Sequence, residues 1–292
     1  MIKCIHIIIY IVIISGNVYA NCKRAIDNSK VVGAGGSITE TIFFLNLQEN
    51  LVARDLTSNF PKEALDLPSI GYVRNLSSEG LLSLSPTLIL GEGDVGPPNI
   101  IEQVKNTSVD FRIIPDEYTS SGIIKKVSCV GKILGASSEQ IKNKISKLNT
   151  SVKILNDLSS NPDLKNLKIM LVLMMRGSSP IVAGSGTSGA GFIEMIGARN
   201  ALPKLEGWKP VSLENIRVSN PDYIIITSRG FKPFGTSQKF LIQTGLIKTN
   251  AGKKGNLIIE DGMALLGFGP RTIDTAIKAI KKITKQNDSV QK

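Results

Sequence analysis

The sequence predicts an α/β protein with two Rossmann-like lobes joined by one long α-helix and a ligand cleft between the lobes. Two observations carry this. After residue 20, short β-rich runs alternate with amphipathic stretches in two separate series. A single long segment of helical periodicity divides the series.

Residues 1–20 read as a secretory signal peptide. Lys3 supplies a positive n-region, Ile5 to Ser15 an apolar core, and Val18-Tyr19-Ala20 a small-residue cleavage site. The apolar run is shorter than the roughly 20 residues a spanning helix needs, and no later run is long enough. Export and cleavage after about Ala20 are therefore expected. Lipidation of Cys22 is the less favoured alternative, because Asn21 stands where a lipobox carries a small residue.

The first lobe is expected over 21–137. Its strands are Lys30 to Gly33, Leu51 to Arg54, Thr87 to Leu90 and Asp110 to Ile114, with helices near 37–46, 77–84, 97–106 and 119–135. From Ser138 to Leu158, Ile141, Ile145, Leu148, Val152 and Leu155 recur at i+3/i+4 spacing, which predicts the linking helix (138–160). Ser138 can cap it, and Asn161-Pro162-Asp163 ends it. At 1.5 Å per residue it is roughly 30 Å long, enough to bridge two lobes and to limit how far a cleft opens. The second lobe follows over 161–292. Its strands are Lys168 to Met175, Pro180 to Ala183, Asp222 to Thr227 and Asn256 to Glu260, with helices near 187–197, 212–219, 236–244 and 269–286.

Composition narrows the function. The formal net charge is +11, but the lysines are dispersed over helix faces, so export argues against a nucleic-acid partner. The sole histidine, His6, lies in the expected leader. The mature chain then has no Ser-His-Asp triad, no histidine-based zinc site and no histidine for haem iron. An enzyme is not expected. Cys22 and Cys129 can form a disulfide in an oxidising compartment or remain unpaired.

Glycine junctions follow two strands. Gly33-Ala34-Gly35-Gly36 lacks the pattern of a phosphate loop, so tight packing is the better reading. Gly184 to Gly189 reads equally as a structural turn or as a helix N-terminus for a carboxylate. The segment from Pro68 to Gly80 is a polar, glycine-bearing loop leading into a capped helix, where functional side chains tend to sit. If the loop is extended, Tyr72 and Arg74 project to the same side. A phenol has an ordinary pKa of about 10, and ferric iron or a guanidinium favours its ionised form, a competent hard ligand. Tyr72 is thus a candidate iron ligand, against an ordinary loop tyrosine. Tyr118 is held in reserve, and Tyr223 and the methionines Met174 and Met175 read as core. Three arginines fall in cleft-like places, Arg74 in the same loop as Tyr72, Arg176 after a strand and Arg229 after the strand Tyr223 to Thr227. Arginine beyond strand carboxyl ends can pair with ligand carboxylates such as haem propionates, against solvated loop arginines. Glu79 and Glu214 each sit near a helix start, one per lobe, complementing the helix dipole or offering anionic docking points.

Several motifs together resemble the periplasmic haem-binding proteins of bacterial ABC importers. They are Val32-Gly33-Ala34-Gly35-Gly36-Ser37-Ile38-Thr39-Glu40, Gly71-Tyr72-Val73-Arg74 to Pro86-Thr87, and Val182 to Thr187. Gly207-Trp208-Lys209-Pro210 and Leu266-Gly267-Phe268-Gly269-Pro270-Arg271-Thr272 complete the set. The resemblance implies that Tyr72 ligates the iron of one ferric haem b, five-coordinate, with Arg74 beside it and Arg229 approaching from the second lobe. It further implies that Glu79 and Glu214 engage arginines of the permease subunits, and that a periplasmic monomer delivers haem for uptake. A ferric siderophore or a corrinoid such as vitamin B12, in the same architecture, is the runner-up ligand.

Overall fold

The computed structural model describes residues 22–177 and 179–290. The expected signal peptide, its cleavage site and Asn21 lie outside the described residues.

Strands β1 (Val31–Ala34), β2 (Leu51–Arg54), β3 (Leu88–Gly91) and β4 (Asp110–Ile113) form a parallel sheet in the order β2-β1-β3-β4. β1 and β3 are central, and all their residues are buried, as uninterrupted apolar runs require in a sheet covered on both faces. The strand order reverses between β1 and β3, so the crevice beyond their carboxyl ends is the topological switch point where α/β sheets bind ligands.

The second sheet is mixed. It contains β5 (Lys168–Arg176), β6 (Ser179–Ala183), β7 (Arg199–Asn200), β8 (Trp208–Pro210), β9 (Tyr223–Thr227) and β10 (Leu257–Glu260). Its order is β10-β9-β5-β6-β8, with β7 paired to β5. β10, β9 and β5 run parallel, whereas β6 is antiparallel to both β5 and β8. Only Gly177 and Ser178 separate β5 from β6, too few residues for the crossover a parallel pair needs. Arg176, expected just beyond the strand, is instead its last residue and pairs with Ser179.

The linking helix runs Ser138–Ser159, with Ser137 rather than Ser138 as its cap: Ser137 Oγ accepts from Gln140 N–H at 3.1 Å. Ile141, Leu148 and Leu155 are buried at sevenfold spacing, and the helix packs against Ser120–Ile133 and the last helix, Arg271–Val290. One continuous apolar core joins Val31, Ile38 and Leu88 of the first lobe to Ile169, Phe192 and Ile273 of the second. A shared core of this kind makes large relative motion of the lobes costly.

Cys22 and Cys129 are joined in a disulfide that spans 107 positions of sequence. A sulfur in that bond is not available for a lipid thioether. The bond restricts the unfolded chain, so replacing both cysteines by serine is expected to cost about 2–4 kcal/mol. Calorimetry would read this as a fall in Tm on the order of 5–10 °C, and an unchanged midpoint would show that the tether contributes nothing.

Candidate ligand site

The loop bearing Tyr72 continues the edge of the first sheet. Arg54 N–H donates to Pro68 O, Ile70 N–H to Arg54 O and Leu56 N–H to Gly71 O, at 3.0, 2.8 and 2.7 Å. Gly71 then takes a φ of +91°, a region that favours glycine. The chain is not extended here: Asn75 N–H donates to Tyr72 O at 2.8 Å, closing a turn over Tyr72–Asn75. Val73 and Leu76 are buried beneath the turn, while Tyr72 stays 41% exposed. Within this turn Tyr72 still favours the charge of Arg74, though less than Asp94 does.

Arg74 does not stand alone. Its Nε and Nη2 both donate to Oδ2 of Asp94, at 2.7 and 2.5 Å. Partial burial disfavours the guanidinium charge, but Asp94, with a smaller contribution from Tyr72, outweighs it and holds Arg74 above its usual range. Asp94 was not anticipated. It lies in Gly91-Glu92-Gly93-Asp94-Val95-Gly96, directly after β3, and acidic residues in a glycine-rich loop at a strand end were the signal for it.

Beside this pair lies a buried ionic seam between the lobes. Lys126, 3% exposed, donates to Ser37 Oγ at 2.7 Å and to Gly267 O of the second lobe at 3.2 Å, with Asp116 Oδ1 at 3.8 Å. Glu92 Oε1 accepts from Ser37 N–H at 2.6 Å. Burial pushes the Glu92 carboxyl up to about 7, against the pull of Lys126 and Ser37, and burial likewise raises Asp116 against Lys126. Among the described residues no group of three or more histidines, cysteines or acids is arranged to hold a metal.

Glu92 also explains the first glycine junction. A Cβ on Gly35 would lie 2.3 Å from Glu92 Cγ, and one on Gly36 2.4 Å from Met263 Cε of the second lobe. The start of helix Gly36–Phe44 is thus filled by protein. At the second junction, a Cβ on Gly184 would lie 2.2 Å from Leu205 O, and Thr187 Oγ1 accepts from Ala190 N–H at 3.1 Å. Both junctions are packing devices.

Tyr118 packs on Phe268 across the seam, ring centroids 5.2 Å apart, and burial together with Asp116, Asp94 and Glu92 pushes its hydroxyl up to about 12. That environment opposes the phenolate an iron ligand requires. Tyr223 is core, 1% exposed, donating to Ile283 O at 3.1 Å.

In the second lobe, Arg229 lies in the short helix Ser228–Phe231 after β9, and Arg176 ends β5. Both are exposed, with no ion-pair partner among the described residues. Thr227 Oγ1, at the end of β9, donates to Leu173 O within β5 at 2.7 Å. Met174, expected in the core, is 38% exposed. Glu79 and Glu214 are both exposed and occupy equivalent places: each is the second residue of a helix, Ser78–Leu82 and Leu213–Ser219, capped by Ser77 and Ser212. A cavity of about 670 Å³ lies elsewhere, among Phe43, Phe44, Phe60, Leu67 and Arg271. No residue of the Tyr72 turn lines it, and its volume is not evidence for the Tyr72 site.

Two α/β lobes thus share one apolar core and are tied across their seam by Lys126 to Gly267 and by Arg271 to Glu40. A model of the family described as "periplasmic binding protein" matches residues 31–262. The chain belongs to that family. Among solved structures it is similar to the periplasmic heme-binding protein RhuT from Roseiflexus sp. RS-1, at 28% identity and TM-score 0.82, covering 88% of this chain and 98% of that one. It is also similar to the periplasmic heme-binding protein BhuT in complex with two hemes, at 29% identity and TM-score 0.80, covering 88% and 97%. Among named relatives, the ABC transporter substrate-binding lipoprotein YvrC of Bacillus subtilis is 22% identical, over 85% of this chain and 77% of that protein. A vitamin B12-binding protein of Pectobacterium carotovorum is 23% identical, over 68% and 70%. The family places the chain with an ABC transporter and a small-molecule ligand.

Proposed function

We propose that this protein captures haem in the cleft and delivers it, on the periplasmic side, to the permease of an ABC importer. The observation that carries the reading is Tyr72, held 41% exposed at a glycine-led turn beside Arg74. A phenolate is a hard anionic ligand suited to ferric iron, and residues 21–292 contain no histidine to compete for that role. Arg74 is already paired with Asp94, so the unpaired Arg176 and Arg229 are the better partners for the propionates. Leu56, 62% exposed and bonded through its backbone N–H to Gly71 O, offers apolar surface beside Tyr72 for the porphyrin.

The resemblance to heme-binding proteins at 28–29% identity over nearly the whole chain supports haem. A corrinoid is the second reading, favoured by the vitamin B12-binding relative. Titrating the purified protein with hemin, cyanocobalamin and ferric citrate separates the ligands. Hemin is expected to bind stoichiometrically with a tyrosinate-to-iron charge-transfer band. Saturable binding of cobalamin, with hemin bound only weakly and without that band, would replace haem by a corrinoid.

Docking is assigned to Glu79 and Glu214. Both carboxylates are exposed on short capped helices, one per lobe, where a basic permease surface can reach them. Replacing both by arginine is expected to leave hemin affinity unchanged and to cut hemin-stimulated ATPase of the reconstituted transporter by about tenfold or more, the scale of two opposed rim charge pairs. Undiminished stimulation would remove the glutamates from docking.

A further inference from the structure

We infer that Asp94 is a positioning residue for the iron-binding tyrosine: it anchors Arg74 and sets how much positive charge Arg74 presents to the Tyr72 oxygen. The inference rests on the reading of Tyr72 as an iron ligand.

Three observations support it. First, Nε and Nη2 of Arg74 converge on one carboxylate oxygen, Asp94 Oδ2, at 2.7 and 2.5 Å, which fixes the plane of the guanidinium. Second, the two loops are clamped together by their backbones: Gly96 N–H donates to Val73 O, and Leu76 N–H to Gly96 O, both at 2.9 Å. Asp94 therefore reaches Arg74 from a platform in register with the Tyr72 turn. Third, the other carboxylate oxygen, Oδ1, is buried without a hydrogen-bond partner among the described residues. A buried, unsatisfied carboxylate oxygen costs stability.

The chemistry follows from charge. A phenolate binds ferric iron through the electron density on its oxygen. An unbalanced guanidinium at that oxygen would withdraw density and weaken the bond. Asp94 offsets the guanidinium, much as a carboxylate behind a metal-bound histidine raises that ligand's donor strength. Arg74 then steadies the phenolate without stripping it, and the pair sets the strength of the bond that delivery must break.

The test uses the full mature chain and hemin. Asp94→Asn is expected to move the tyrosinate-to-iron charge-transfer band to shorter wavelength and to weaken hemin binding about tenfold, the scale of one charge-assisted hydrogen bond. Asp94→Glu, which keeps the charge, should return both toward the wild-type values; it also serves where the asparagine variant is not recovered folded, since a band and affinity worse than those of Arg74→Gln would then overturn the inference. In an Arg74→Gln background, Asp94→Asn should add nothing, because its effect passes through Arg74. A wild-type band and affinity in Asp94→Asn, or a shift that persists in full without Arg74, would overturn the inference while leaving Tyr72 as the ligand. Absence of a band removable by Tyr72→Phe in the wild type would instead overturn the parent reading, and this inference with it.

Discussion

Tyr72→Phe is expected to lower hemin affinity on the order of 100-fold, about 2.7 kcal/mol, and to abolish the tyrosinate charge-transfer band. The substitution removes one oxygen and keeps the ring, so apolar contact with a porphyrin is retained and the loss reports the bond to iron alone. Folding should be untouched. The ring is 41% exposed, and the residues that seat the turn are its neighbours Val73 and Leu76, 3% and 5% exposed. A residual, band-free affinity is therefore the signature of porphyrin held by surface and arginines without its axial ligand. The measurement is a paired titration, absorbance and fluorescence quenching, of both proteins. Equal affinity and superimposable spectra would show that residue 72 does not meet the metal.

The same contrast shows what the sequence made legible. Helix Ser138–Ser159 was readable because Ile141, Leu148 and Leu155 keep one face apolar over six turns, and only a helix uses that period. β1 and β3 were readable because a strand buried on both faces needs an unbroken apolar run. β7 and β8, two and three residues long, are too short to show any period, and the direction of β6 is set by the two-residue connection before it rather than by its own side chains. At the site, Tyr72 was legible through the company of motifs it keeps, since a lone loop tyrosine carries no pattern. The backbone around it is a turn rather than an extended segment, because Gly71 at positive φ and the bond from Asn75 to Tyr72 close the chain on itself. Asp94 and Lys126 were missed for a common reason. Their partners lie 20 and 141 positions away, at Arg74 and Gly267, and pairing at such distance leaves no local trace.

The largest loss of stability is expected at the lobe seam, from Arg271→Ala. Glu40 is 4% exposed inside the first lobe, and Arg271 opens the last helix of the second. Arg271 Nε donates to Glu40 Oε2 at 2.8 Å, and its backbone N–H to Oε1 at 2.7 Å. The guanidinium also lies 3.7 Å over the Phe60 ring and 3.4 Å from Asp261 Oδ1. Removing it strands a buried carboxylate, at a cost of about 3–5 kcal/mol if the charge stays. The cost depends on pH, and its sign follows from the carboxyl group. Burial already raises Glu40 above its usual 4.5, with Arg271 as the main opposing influence. Without Arg271 the folded-state value rises further while the unfolded value does not change. A group raised on folding contributes its stability fully below the unfolded value and loses it as pH climbs through the folded one. The variant should therefore be only mildly impaired at pH 5, where Glu40 can bind a proton, and impaired by the full amount at pH 8. Urea unfolding of wild type and variant at both values measures this directly. Equal destabilisation at pH 5 and pH 8 would show that the seam is held by the Phe60 stacking rather than by the Glu40 charge.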